Sequence, residues 1–192
     1  MTKTNMGRPL YNFSYVDPIY DGLLAKGVRP FEEISFMPKE LALRQDLHPC
    51  IWYKWNGPVV SPPKDYAKWD GLIQAFAEHL VDRYEIDEVA QWYIEVWNEP
   101  NIDFWTGDPK QATYFELYDR TARALKSISP ASAWADQLRR PPTGSIDFIR
   151  HAAANNVPTD FISSHGYADD TVEDLFGASE DIPMVQRLCR AV

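Results

Sequence analysis

The stretch Gln91–Asn101, QWYIEVWNEPN, decides the fold class of this chain. Five of its first seven residues are aromatic or β-branched, a composition that favours a buried β-strand. The polar tetrapeptide Asn98-Glu99-Pro100-Asn101 follows where that strand ends. In α/β barrels the catalytic groups lie where strands end and loops begin. Glu99 is therefore a candidate catalytic carboxylate.

Helical patterns flank this strand on both sides. Before it, Ser61-Pro62-Pro63 opens an apolar stripe that continues at helical spacing as far as Tyr84. After it, a second stripe predicts a helix from Pro109 to Ser127. Further upstream, Asp17-Pro18 predicts a helix start, with Asp17 as N-cap, and Gly27 predicts its end.

Two more strands are predicted further out, at residues 28–36 and 160–164, the second preceded by a helix that Ser145 caps. Residues 128–144, ISPASAWADQLRRPPTG, lack an apolar run, so no strand is predicted there. Strands that alternate with helices form right-handed βαβ units and a parallel sheet. The expected fold is α/β with parallel strands, in one domain spanning residues 1–192.

Composition excludes several classes of protein. The chain is 45% apolar and 24% charged, as expected of a globular domain. Its formal net charge of −9 has the wrong sign for a protein that binds nucleic-acid phosphates. There is no apolar run long enough to cross a membrane. The two cysteines, Cys50 and Cys189, indicate neither a disulfide framework nor a metal site.

The decapeptide WYIEVWNEPN, Trp92–Asn101, resembles the acid/base signature of glycoside hydrolase family 39, the β-xylosidase and α-L-iduronidase group. Three further segments follow the order and approximate spacing of that family: 11–38 (YNFSYVDPIYDGLLAKGVRPFEEISFMP), 62–69 (PPKDYAKW) and 160–167 (DFISSHGY). The resemblance covers about three quarters of the chain, and the β-xylosidase branch is the nearer one.

The resemblance implies a role for individual residues of the candidate site. Glu99 would be the general acid/base, and Asn98 would hydrogen-bond the 2-hydroxyl group of the sugar. His165 and Tyr167 would line the subsite for the sugar whose bond is cleaved, and Phe36 would line the same pocket after the 28–36 strand. The implied reaction is retaining hydrolysis of a β-xyloside or related glycoside. It uses a carbohydrate substrate and no metal or organic cofactor.

The resemblance also implies a (β/α)₈ barrel, for which 192 residues are few compared with the usual length of about 250. We expect an incomplete barrel with roughly the second to the sixth strand, one of them lost in residues 128–144. In the family the catalytic nucleophile is a Glu on a later strand, and we expect it to be absent from this chain. Glu95, four residues before Glu99 along an extended strand, lies about 13 Å away, too far to replace it.

Other interpretations stay open at this point. The chain could be a non-catalytic remnant or gene fragment that at most binds sugar weakly. A related endoglycanase is also possible, because an Asn-Glu pair at this strand end is shared more widely. The start of the chain, Met1–Pro9, shows no signal peptide, and a cytoplasmic location is the default expectation.

Overall fold

The computed structural model describes residues 3–5, 8–48, 57–128, 133–139 and 143–165. A two-stranded antiparallel sheet, β1 (Lys3–Asn5) and β2 (Arg8–Leu10), precedes an alternation of helices and parallel strands. In chain order these elements are α1 (Asp17–Leu24), β3 (Phe31–Ile34), α2 (Tyr66–Tyr84), α3 (Ile86–Val89), β4 (Tyr93–Val96), α4 (Lys110–Ile128), β5 (Ala133–Arg139), α5 (Thr143–Asn155) and β6 (Phe161–His165). None of the helices in the described ranges is long and apolar enough to cross a membrane.

Strands β3, β4, β5 and β6 form one sheet in that order, and every neighbouring pair is parallel. The predicted α/β class with parallel strands is therefore confirmed. The register places Ile34 beside Val96 and Val96 beside Asp136, and Arg139 pairs with His165. The carboxyl ends of all four strands consequently lie along one edge of the sheet.

The prediction that a strand is lost between residues 128 and 144 is wrong. Strand β5 occupies Ala133–Arg139 and pairs with β4 on one side and β6 on the other. The sequence of β5 contains no apolar run. Backbone hydrogen bonds to its two neighbours hold this central strand in place, and these bonds do not depend on side-chain type. A pattern of apolar residues cannot reveal such a strand.

The sheet is strongly curved. Across a flat sheet, β3 and β6 would lie about 14 Å apart, three strand spacings of about 4.8 Å. Yet the rings of Phe31 on β3 and Phe161 on β6 lie 5.9 Å apart, and Tyr93 on β4 contacts both, at 5.7 and 5.3 Å. The three aromatic side chains therefore meet on the concave face of the sheet.

The convex face packs against the helices. Ile94 and Val96 of β4 are fully buried in the main core, together with apolar side chains of α2, α4 and α5. A hydrogen bond of 2.8 Å from Trp69 Nε1 to Thr121 Oγ1 joins α2 to α4 inside this layer.

Three predicted helix starts are shifted. Asp65, and not Ser61, caps α2, with its carboxylate accepting from the backbone N–H groups of Ala67 and Lys68. Asp17 lies inside α1, whose N-cap is Val16. Ser145 likewise lies inside α5 rather than at its start.

Candidate active site

The chain leaves β4 through a turn with a strained backbone. Trp97 and Glu99 have φ angles of 70° and 43°, in the left-handed region that non-glycine residues rarely adopt. Such conformations cost free energy and persist only where the surrounding structure imposes them, which is common at functional sites. The polar residues that follow β4 are therefore held in an unusual, fixed geometry.

Three hydrogen bonds fix this turn. The backbone N–H of Trp97 donates to the carbonyl oxygen of Ile34 at 3.1 Å, which extends the pairing of β3 and β4 beyond the strand. The Trp97 indole N–H donates to the carbonyl of Phe104 at 2.7 Å, and the N–H of Ile102 donates to the carbonyl of Glu99 at 3.2 Å. Trp97 is fully buried, so it serves packing and not contact with a ligand.

Glu99 is buried at this strand end, with 4% of its surface exposed, and the neighbouring Asn98 is half-buried. The hydroxyl of Tyr114, from α4, donates to the carbonyl of Val96 at 3.0 Å and ties the end of β4 to the helix behind it. The carboxylate thus stands on a rigid support at the edge where catalytic groups of parallel α/β barrels are found.

Phe36 follows β3 and lies beside the same turn. Its ring is half-buried, makes an edge contact with Trp97 at 5.6 Å and stacks on Phe104 at 5.7 Å. The peptide bond between Ser35 and Phe36 is cis. Phe36, Trp97 and Phe104 therefore form one cluster at the carboxyl ends of β3 and β4, the same edge of the sheet that carries Glu99.

His48 extends this cluster and was not predicted. Its imidazole, 8% exposed, stacks on Phe104 with ring centroids 4.0 Å apart. It lies in the irregular segment between β3 and α2, where no periodicity marks a residue as buried. We define the aromatic stack as Phe36, Phe104 and His48.

The other predicted site residues are only partly described. His165 is the last residue of β6, at the same carboxyl edge as Glu99, and the structure describes its backbone position only. Tyr167 lies outside the described residues, and so does the aromatic group Trp52, Tyr53 and Trp55. Their assignment stays a prediction.

Within the described ranges no three His, Cys, Asp or Glu side chains group together as a metal site requires. The expectation that the reaction needs neither a metal nor an organic cofactor stays a prediction. The chemistry available at this edge is that of a buried carboxylate beside an amide and aromatic rings.

Comparisons with known proteins agree with this arrangement. The chain is 46% identical over 167 residues to a β-xylosidase of Geobacillus stearothermophilus, covering 83% of this chain and 31% of the relative. It is 40% identical over 172 residues to a β-xylosidase of Caldicellulosiruptor saccharolyticus, covering 83% of this chain and 32% of the relative. A solved GH39 β-xylosidase from Caulobacter crescentus superposes with a TM-score of 0.81 at 34% identity, covering 99% of this chain and 40% of the other.

The chain thus spans about a third of the length of the curated relatives that it matches. The family model of glycosyl hydrolases family 39 matches residues 2–185, which include all four parallel strands and the turn with Glu99. On this match, the chain belongs to glycosyl hydrolase family 39.

Proposed function

We propose that the chain is the acid/base-bearing part of a glycoside hydrolase that acts on β-xylosides or related glycosides. Its relatives at 40–46% identity are β-xylosidases, which favours that glycone. Its curved parallel sheet would be a segment of a (β/α)₈ barrel, including the strand that ends at Glu99. The observation that carries the proposal is a buried glutamate, held by a strained turn at the carboxyl end of β4.

Each predicted site residue keeps its role in this proposal. Glu99 donates a proton to the glycosidic oxygen as the bond to the sugar breaks, and later takes a proton from the attacking water. Asn98 holds the 2-hydroxyl group of the sugar, while Phe36, His165 and Tyr167 line the pocket for the glycone. The exposed part of the Phe36 ring offers an apolar surface that suits the C–H face of a pyranose.

A retaining mechanism needs a second carboxylate about 5–5.5 Å from the first. Glu33 and Glu95 lie side by side within β3 and β4, before the strands reach their carboxyl ends. We assign neither as the nucleophile, and propose that this group is not among the 192 residues. A second candidate function is sugar binding without turnover, because neither Glu33 nor Glu95 is assigned as the second carboxylate.

Hydrolysis of 4-nitrophenyl β-xyloside by the purified chain, beside Glu99→Gln, tests the proposal. Positioned acid–base catalysis contributes about 10²- to 10⁴-fold, so whatever turnover the parent chain shows should fall by that factor in the variant. The matched control is Glu78→Gln, which changes an exposed glutamate on α2 and should leave the rate unchanged.

A more activated leaving group sharpens the test. 2,4-Dinitrophenolate departs without protonation. Glu99→Gln should therefore reduce the rate of the first, bond-breaking step less on 2,4-dinitrophenyl β-xyloside than on 4-nitrophenyl β-xyloside. Equal losses on both substrates would contradict the acid/base role. Background rates in parent and variant alike, with xylose bound by both, would favour the second candidate function.

A further inference from the structure

Three residues join the loop after β4 to the segment between β3 and α2. The Arg44 guanidinium donates to a carboxylate oxygen of Asp46 at 2.7 Å and to the Thr106 carbonyl at 2.6 Å. The Thr106 hydroxyl donates to the same oxygen of Asp46 at 2.8 Å. Arg44, Asp46 and Thr106 therefore form a closed ring of hydrogen bonds, which we call the loop clamp.

Backbone hydrogen bonds set the position of the loop clamp. Val60, which is fully buried, donates its N–H to the Asp46 carbonyl at 2.9 Å and accepts from the Thr106 N–H at 3.0 Å. The Arg44 N–H donates to the hydroxyl of Ser61, also fully buried, at 2.9 Å. Both sides of the clamp are thus bonded to one buried stretch of chain. The clamp therefore fixes the loop after β4 against the protein core.

The charged pair of the loop clamp is only partly buried. The Arg44 side chain is 46% exposed and the Asp46 side chain is 31% exposed. Ion pairs with this exposure contribute little to folding stability, because water solvates the separated charges well. We therefore expect the clamp to affect the geometry of the loop more than the stability of the whole chain.

The residues next to Thr106 contact the turn that carries Glu99. The Phe104 carbonyl accepts from the Trp97 indole N–H at 2.7 Å, and the Trp105 ring packs edge-on against that indole at 5.0 Å. Trp97 and Glu99 both have left-handed backbone conformations, which persist only where other contacts impose them. A shift of Thr106 would move both groups that hold Trp97. The clamp thus supports the strained turn through the Trp97 side chain.

We propose that the loop clamp is a positioning unit, whose three residues hold the turn after β4 and, through Trp97, the direction of the Glu99 carboxylate. Its catalytic consequence rests on the proposed function, in which Glu99 transfers the proton. A carboxylate that is displaced from the glycosidic oxygen loses stabilisation of the transition state more than it loses substrate binding. The effect of the clamp should therefore fall on kcat and not on KM.

Hydrogen exchange followed by NMR tests the clamp without requiring turnover. The two reporters are the Ile102 N–H, which is bonded to the Glu99 carbonyl, and the Trp97 indole N–H. Thr106→Val removes the hydroxyl and keeps the backbone bonds. It should speed exchange of both reporters by about five- to tenfold relative to the amides of α2 and α4, the effect of one lost hydrogen bond. Thr106→Ser keeps the hydroxyl and should restore the parent ratio.

The matched control is Thr121→Val, which removes another threonine hydroxyl from a hydrogen bond. That hydroxyl accepts from the Trp69 indole between α2 and α4, inside the helix layer. Its loss should speed exchange of the helix amides and should not raise the ratio of reporter to helix exchange. An unchanged ratio in Thr106→Val, or an equal rise in Thr121→Val, would overturn the clamp.

Asp46→Ala tests the clamp from its other side, and it decides the matter if Thr106→Val does not fold. This variant removes the acceptor of both the Arg44 guanidinium and the Thr106 hydroxyl, so it should raise the same exchange ratio. The Asp46→Ala, Thr106→Val double variant should raise the ratio no further, because the bond between the two side chains is already lost. Additive rises would overturn the clamp as a unit.

Kinetics on 4-nitrophenyl β-xyloside connect the clamp to catalysis. Whatever kcat the parent shows should fall about five- to tenfold in Thr106→Val with KM unchanged, and Thr106→Ser should restore it. A change confined to KM would overturn the positioning role. A raised exchange ratio, together with no effect of Glu99→Gln on the rate, would overturn the proposed function and leave the clamp as a support of the turn.

Discussion

The two ends of strands β3 and β4 carry similar side chains in different surroundings. At the carboxyl ends, the aromatic stack of Phe36, Phe104 and His48 is covered by the loops, and Phe104 is only 7% exposed. At the amino ends, Phe31 and Tyr93 also stack, yet they are 59% and 51% exposed.

This difference shows at which end of the strands other described residues bury the aromatic side chains. Two irregular segments cross the carboxyl edge and bury its aromatic side chains. One joins β3 to α2 and is described at 35–48 and 57–65; the other joins β4 to α4 and spans 97–109. On the concave face near the amino ends, no described residue covers Phe31 or Tyr93 to the same degree. The carboxyl edge therefore has a fixed shape set by local contacts, as a site for chemistry requires.

The matched variants Phe104→Ala and Phe31→Ala should differ most in their free energy of unfolding. Truncation of a buried phenylalanine costs about 3–5 kcal/mol, because it removes apolar burial and leaves a cavity. Phe31 loses only part of its aromatic contacts, so its truncation should cost about 1 kcal/mol or less. The free energy of unfolding from urea denaturation of both variants measures the difference.

Equal losses for the two variants would contradict the comparison, since they would mean that both rings are equally buried in solution. Saturation of Phe104→Ala with xylose provides a further check on the site. If the aromatic stack supports the glycone pocket, then xylose should stabilise this variant less than it stabilises Phe31→Ala.

The sequence predicts three of the four parallel strands, with bounds that differ by a few residues. These three strands contain aromatic and β-branched residues that pack against other side chains, and this composition indicates a strand. Strand β5 was missed because its position depends on pairing with β4 and β6, which are distant in sequence. Helix caps were misplaced for a related reason, because Ser61 and Asp65 both have suitable side chains and only the fold selects one.

The candidate site was predicted unevenly. The position of Glu99 and Asn98 at the carboxyl edge could be predicted because a polar motif directly follows a predicted strand, and that of Phe36 because it lies at the end of another predicted strand. The burial of His48 could not be predicted, since it arises where the segment before α2 meets the loop after β4. Tertiary contacts between two irregular segments leave no periodicity in either one.

Gly107→Ala should have the second largest effect, again at the carboxyl edge. A β-carbon at this position would overlap the side chains of Thr113 and Trp105, which a hydrogen bond of 3.0 Å holds together. Overpacking of this kind costs about 1–3 kcal/mol. Thermal unfolding of this variant measures the stability loss.

Gly22→Ala is the control for that substitution. Gly22 lies within α1 with open space where an added methyl group would stand, so alanine there should stabilise the protein by about 0.5–1 kcal/mol. A Gly107→Ala variant as stable as the parent would show that the loop relaxes around the methyl group.

The smallest expected effect concerns Glu32, a half-buried acid near the amino end of β3, which contrasts with Glu99 at the other edge. Burial raises the pKa of Glu32 above its ordinary 4.5, while a hydrogen bond from the Tyr20 hydroxyl opposes the shift and the charge of Glu33 adds to it. A carboxyl with a raised pKa binds more protons in the folded state, so its contribution to stability falls as the pH rises from 4.5 through the raised value.

Glu32→Gln keeps an acceptor for Tyr20 and removes the charge. We therefore expect the free energy of unfolding of this variant to equal that of the parent near pH 4 and to exceed it at pH 7. The gain should be smaller than the losses expected for Phe104→Ala and Gly107→Ala. Urea denaturation at both pH values measures this, with Glu78→Gln as the exposed control, whose difference from the parent should stay constant. A gain at pH 4 that vanishes at pH 7 would reverse the sign and contradict a burial penalty at Glu32. The expected result would mean that Glu32, near the amino ends of the strands, weakens the fold when it is charged.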